Sequence, residues 1–166
     1  LGGINIADDY VNAPDKNKYW RDTHIRIEGE AVITLQIQFL INWEFVSNSK
    51  INIIANYFPK KPCKAKLAIQ IAASGPDTDW PNILDALFSA ITSAKKYIYI
   101  TTPYFIPNDE IIMALQIASR SGVDVRLLIP NESDSWTAKY ATNSYLQRLF
   151  DADIKIYRYT KRDLKS

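Results

Sequence analysis

The sequence holds one cysteine, Cys63, in 166 residues. That excludes an internal disulfide and a zinc site built from cysteines. It holds one histidine, His24, which excludes a two-histidine mechanism or a multi-histidine metal centre assembled from these residues alone. No metal and no cofactor is expected. Excess charge of one sign is also lacking. Twenty Lys and Arg stand against eighteen Asp and Glu, a formal net charge of +2, which gives no argument for a nucleic-acid partner. No apolar run reaches the roughly 18 residues of a membrane-spanning helix. The chain opens at Leu1 with neither methionine nor a signal-like segment, and is read as a piece of something longer.

Hydrophobic residues make up 47% of the chain and charged residues 23%, so a folded domain with a core of ordinary size is expected. The segment that orders the chain is Tyr97–Thr102, rich in aromatic and β-branched residues that suit a buried strand. Amphipathic helical patterns stand on either side of it. Strand–helix alternation with short connections predicts an α/β fold, a largely parallel or mixed sheet flanked by helices. Ligands of such sheets bind beyond the carboxyl ends of the strands. Thr102-Pro103-Tyr104-Phe105 falls at such an end, where the proline stops the ladder and the two aromatics are expected to project from the loop.

Read in order, Leu1–Ile6 is the end of a strand entering a turn, and residues 7–18 form a polar loop. Tyr19–Ile27 alternates strictly and predicts a strand with Asp22, His24 and Arg26 on one face. After Gly29 a helix is expected, with Val32, Leu35, Phe39 and Trp43 on its stripe and an end between Phe45 and Ser49. Pro59-Lys60-Lys61-Pro62 is the linker candidate. Lys66–Ala73 reads as a strand and Ser74-Gly75-Pro76-Asp77 as a turn. Pro81 opens a helix with the stripe Ile83, Leu84, Leu87, Phe88 and Ile91. A second helix follows Pro107, capped by Asn108, with the stripe Ile111, Ile112, Leu115 and Ala118 and a stop at Gly122. Val123–Ile129 is a strand. Ser133 or Asp134 caps a third helix carrying Ala141, Tyr145 and Leu149, and Asp153–Tyr159 is the last strand. The stripes, with Met113 and the tryptophans, are expected to be core.

Three stretches together resemble the phospholipase D superfamily, and within it the bacterial cardiolipin synthases. They are Gly2-Gly3-Ile4-Asn5-Ile6-Ala7-Asp8-Asp9-Tyr10; Tyr19-Trp20-Arg21-Asp22-Thr23-His24-Ile25-Arg26-Ile27-Glu28-Gly29 with the helix after it; and Ser74-Gly75-Pro76-Asp77 followed by Thr102–Pro107. Each is weak alone, and their order and spacing make the resemblance fairly specific. The family carries the motif His-x-Lys-x4-Asp-x6-Gly-[Gly/Ser]-x-Asn twice. Gly2, Gly3 and Asn5 match the close of the first copy. The resemblance implies that this first copy begins before Leu1 and that the second begins shortly after the last strand. It therefore implies a central fragment with residues 1–58 in the first half, 59–66 as linker and 67–166 in the second half.

The activity so implied is phosphatidyl transfer. One histidine forms a phosphohistidine with a phosphatidyl donor while a second protonates the leaving alcohol. The implied substrates are phosphatidylglycerol and other anionic phospholipid, joined into cardiolipin with loss of glycerol. The implied location is the bacterial cytoplasmic membrane, reached through parts outside this chain, with the piece itself soluble. The fragment alone is expected to be inactive. Asp22 matches the carboxylate that orients the attacking histidine; the competing reading is a surface ion pair with Arg21 or Lys18. Gly3 and Asn5 are assigned to the phosphate, where Asn5 donates its amide and Gly3 admits a close backbone. Tyr104 and His24 are assigned as further substrate contacts. The ordinary readings are packing under the next loop for Tyr104 and a structural role for His24. Lys60, Lys61, Lys64 and Lys66 fit either a solvated linker or anionic lipid. A phospholipase D-type hydrolase, a phosphatidylserine synthase and a non-catalytic flavodoxin-like binding domain stay open as alternatives.

Overall fold

The structure is a computed structural model that describes residues 2, 5–12, 22–59, 62–63, 67–75, 79–131 and 136–160. The chain forms two compact units, Leu1–Ala73 and Ser74–Ser166.

Ser74–Ser166 is an α/β unit. Its strands are β1 (Tyr97–Thr101), β2 (Asp124–Pro130) and β3 (Lys155–Tyr159). They pair in parallel in the order β1-β2-β3, with Ile98 opposite Val125 and Leu127 opposite Ile156. In chain order the helices of the whole protein are α1 (Ala31–Ser47), α2 (Asn82–Ser93), α3 (Asp109–Arg120) and α4 (Trp136–Phe150). Parallel neighbours need a crossover, and α3 and α4 supply the two. Such crossovers are nearly always right-handed, which puts successive helices of a 1-2-3 order on one face. Accordingly α3 packs on β2 and α4 on β3, the two helices meet, and α2 lies against α3.

The core sits between that sheet face and the helices. Val125, Leu127 and Ile129 alternate inward from β2, and Ile112, Leu115 and Leu149 come down from the helices. Each such side chain contributes about 1.5–3 kcal/mol on burial. The predicted signals around α3 hold. The Asn108 side chain accepts from the Ile111 N–H at 3.2 Å, and Gly122 takes φ +90 while the Val123 N–H returns to the Ala118 carbonyl at 3.1 Å. After α4 the left-handed position falls to Asp153 (φ 57), so β3 starts at Lys155 rather than at Asp153. Arg148 of α4 reaches Asp109 of α3 at 2.7 Å.

Helices cover one face of this sheet. Tyr97, Tyr99 and Thr101 of β1 and Tyr157 and Tyr159 of β3 stand exposed on the other. The expectation of helices flanking the sheet is met on one side.

In Leu1–Ala73 the elements are sparse. A short 3-10 turn, Asp8–Tyr10, precedes α1, and a second, Ala55–Tyr57, follows it. Helix α1 ends at Asn48, whose φ of 50 is the left-handed stop. Two expected strands are corrected. Among the described residues of Tyr19–Ile27 there is a single antiparallel bridge, His24 to Gly2, and residues 67–73 have no regular structure. Alternation sets the faces of a strand, but a strand forms only against a partner, and among the described residues that partner is Gly2 alone.

The stripe of α3 is core as expected, whereas those of α1 and, in part, α2 are corrected. Phe39 is 54% exposed and Trp43 55%, and only Leu40 of α1 is buried. Apolar residues run all round α1, so periodicity singles out no face. In α2 Ile91 is buried and Leu84 packs on the core, while Ile83, Leu87 and Phe88 stay exposed because α3 meets only part of the stripe. Met113, Trp80 and Trp136 are exposed too; Trp20 lies outside the described residues.

Candidate functional site

The carboxyl ends of the strands in Ser74–Ser166 form a polar rim. The Thr102 N–H, just past β1, still bonds to the Leu128 carbonyl at 3.2 Å. Its hydroxyl then donates to the Tyr104 carbonyl at 2.9 Å and accepts from the Tyr104 N–H at 3.3 Å. This closes a tight turn over Pro103. The two aromatics part there, against the expectation that both project. Tyr104 is 41% exposed, while Phe105 is buried and its N–H bonds to the Thr142 hydroxyl of α4 at 3.2 Å. A phenylalanine gains by leaving water, whereas a tyrosine keeps its hydroxyl wet. Beside this turn the Arg158 guanidinium donates to Asn143 at 3.0 Å, and the Asn131 N–H to the Tyr159 carbonyl at 3.0 Å. Pro103, Asn131, Asn143 and Arg158 line one crevice. Arg158 and Asn143 escaped sequence reasoning. The available signal was a cation in register with core-facing Ile154 and Ile156, at the end of the strand where the core runs out.

The face of the same sheet opposite the helices carries a second polar cluster, toward its amino-terminal end. Asp124 accepts from Tyr99 (2.9 Å), from Arg126 Nε (2.8 Å) and from Lys155 (2.8 Å), so one carboxylate joins all three strands. The Arg126 hydrogen bond, with Lys155 behind it, holds the Asp124 carboxyl well below the usual carboxylate range. Donation to Asp124 pushes the Tyr99 phenol up, and Arg126 is raised by the same partner. The Arg126 guanidinium lies 4.9 Å from the centre of the Tyr99 ring. From Tyr99 and Arg126 of this cluster a shallow groove of about 530 Å³ runs on over Thr101, Leu128, Tyr157 and Tyr159.

In Leu1–Ala73 the structure brings Gly2 and His24 together, through the bridge and through the imidazole, which lies where a Cβ on Gly2 would stand. Asn5 donates its amide to the Tyr10 hydroxyl at 2.8 Å. Asp22 is exposed; its Oδ1 accepts from the Thr23 N–H at 2.8 Å. Arg26, exposed, pairs with Glu28 rather than with Asp22. Gly3, Arg21 and Lys18 lie outside the described residues, as do Lys60, Lys61, Lys64 and Lys66. Among the described residues no group of three or more His, Cys, Asp or Glu could hold a metal, and no helix is long and apolar enough to cross a membrane.

Residues 87–166 match the family model described as cardiolipin synthase, PLD-like domain. A cardiolipin synthase of Listeria monocytogenes is 42% identical over 160 residues, covering 96% of this chain and 33% of that protein. Cardiolipin synthase 2 of Bacillus cereus is 43% identical over 171 residues, covering 100% and 32%. That of Alkalihalophilus pseudofirmus is 44% identical over 162 residues, covering 97% and 32%. The chain thus spans about a third of the length of these curated relatives. Among solved structures, a phospholipase D family member, Nuc from Salmonella typhimurium, overlays with a TM-score of 0.39 at 24% identity, covering 47% of this chain and 49% of that one.

Proposed function

We infer, from a chain that belongs to the cardiolipin synthase family of phospholipase D-like proteins, that the protein carrying it joins two phosphatidylglycerols into cardiolipin and releases glycerol. One observation supports this above others: the likeness to cardiolipin synthases runs along nearly the whole chain. It favours neither a phospholipase D-type hydrolase, nor a phosphatidylserine synthase, nor a flavodoxin-like binding domain. On this reading a histidine outside the chain attacks the donor phosphorus and glycerol departs. A hydroxyl of the second phosphatidylglycerol then displaces the histidine, and splitting one displacement in two is covalent catalysis. Residues 1–58 belong to one phospholipase D-like half, 59–66 link, and 67–166 belong to the other. The substrates are anionic phospholipids met at the bacterial cytoplasmic membrane, which the protein reaches through parts outside this chain. Expressed alone, the chain turns nothing over, because His24 is its only histidine and two are needed.

Asp22 is the carboxylate that orients the attacking histidine. Its Oδ1 is held by the Thr23 N–H, and among the described residues no donor meets Oδ2. A carboxylate on the far imidazole nitrogen fixes the tautomer and stabilises the imidazolium. Asn5 and Gly3 belong at the phosphate, with Tyr10 holding the Asn5 amide. Tyr104, exposed on the rim beyond β1, meets the head group.

The test uses the full-length protein with phosphatidylglycerol vesicles, following cardiolipin and glycerol. Asp22→Asn lowers kcat by at least about 10², against roughly 10⁴ for the equivalent change in a Ser-His-Asp triad, and leaves KM nearly unchanged. An exposed ion pair would instead shift stability by less than about 1 kcal/mol and leave turnover normal. Wild-type turnover in Asp22→Asn removes Asp22 from this role, and a wild-type protein that makes no cardiolipin removes the activity.

A further inference from the structure

The contact between His24 and Gly2 has a meaning that composition could not give. An exposed histidine on an irregular segment normally keeps its ring in water. Here the ring lies against backbone. A Cβ built on Gly2 would overlap the Nδ1, Cε1 and Cγ atoms of His24, so any side chain at position 2 has to displace the imidazole. The same two residues form the antiparallel bridge that joins the start of the chain to the Asp22–Glu28 segment. Backbone pairing and ring packing are separate interactions, and both fix the same point. That point lies three residues before Asn5 and two residues after Asp22.

Building on the reading above, we infer that His24 is a positioning residue: its ring seats Gly2, three residues before Asn5, against the segment that carries Asp22. It acts through packing and not through a nitrogen offered to the phospholipid. The phosphate-holding asparagine and the orienting carboxylate stand on different segments, and a displacement of about 1 Å between groups of a site costs on the order of 10²-fold in rate. A ring clamped on a glycine removes that freedom.

The experiment measures kcat and KM of the full-length protein with phosphatidylglycerol vesicles for four variants. Gly2→Ala drives the ring off and lowers kcat by about 10². His24→Ala removes the clamp and lowers kcat by about tenfold, with KM within about twofold. His24→Phe keeps a flat ring without nitrogens and falls by no more than about threefold, which a histidine bonded to substrate would not allow. Gly2→Ala/His24→Ala gives the new methyl group the vacated space and recovers to the level of His24→Ala, a non-additivity expected only of residues in contact. If His24→Phe loses as much as His24→Ala, or if the double variant is no better than Gly2→Ala, the positioning role is overturned. If Gly2→Ala fails to fold, the two His24 variants alone decide. A wild-type protein that makes no cardiolipin overturns the underlying activity, whereas an active wild type with additive variants overturns only the role of His24.

Discussion

Ile112 and Phe39 both stand on apolar stripes of helices, and they meet opposite fates. Ile112 of α3 is 0% exposed; Phe39 of α1 is 54% exposed. The units they belong to differ in the same way. Among the described residues of Leu1–Ala73 one apolar side chain, Leu40, is buried, whereas Ser74–Ser166 buries a contiguous cluster drawn from three helices, β2 and the turns between them, with Ile98 and Ile100 of β1 and Ile156 of β3 half-buried against it. The difference is the sheet. Parallel strands provide a flat apolar surface that a helix covers along its whole length. Among the described residues of the first unit a single bridge, Gly2 to His24, is the only strand pairing. A helix stripe is therefore an offer of contact, and a template decides whether it is taken up.

The sharpest way to break this comparison is to cut the same kind of residue from both units. Leu149→Ala, in the core of the second unit, is expected to cost about 2–5 kcal/mol in urea unfolding, from lost transfer energy and the cavity left behind. Phe39→Ala is expected to cost less than about 1 kcal/mol, as for other surface changes. Equal costs would mean that α1 is as well packed as α4. A finer probe is Asn108→Ala, which removes the cap of α3 and should cost about 1 kcal/mol, with Asn108→Ser restoring most of it. A loss well below that would show that α3 is held by packing alone.

The smallest effect concerns Asp124 and depends on pH. Its carboxyl sits below the usual range in the folded state because Arg126 and Lys155 donate to it. A depressed folded value means that the stabilisation is present above the ordinary carboxylate range, about pH 4, and is lost as pH falls through the folded value. The Tm gap between wild type and Asp124→Asn should be constant from about pH 7 to 5 and narrow below about pH 4. Because the group is half-buried and still reached by solvent, salt should shrink the gap as well. A gap that widens on acidification would refute the arrangement.

What was legible in the sequence follows the same division. The elements β1, α3, β2 and β3 stood out because propensity, caps and stripes agreed, as at Asn108 and Gly122. Among the described residues the strands expected at Tyr19–Ile27 and Lys66–Ala73 are seen only as the bridge at His24 and an irregular stretch, because alternation carries no information about the partner. The roles proposed for Asn5 and Asp22 rest on resemblance to a family, and that for Tyr104 on its place at the carboxyl end of a strand; the structure adds local partners, Tyr10 for Asn5 and Thr23 for Asp22. Arg158 and the Asp124 cluster were hidden because each depends on register between strands far apart in the chain, Asp124 facing Tyr97 and Arg126 facing Lys155.

The order β1-β2-β3 has one more consequence. Among the described residues the outer strands β1 and β3 each pair on one side only, so two rows of backbone donors and acceptors are left at the margins. The margins are not equally guarded. β3 carries Lys155 and Arg158, charges of the kind that discourage a further strand from docking. β1 reads Tyr-Ile-Tyr-Ile-Thr, with high strand propensity and no charge. That is the composition of segments prone to self-assembly when their edge is bare. Aggregation of this protein on heating or at high concentration should therefore begin at β1, and a lysine in place of the exposed Tyr97 should delay it without touching the core.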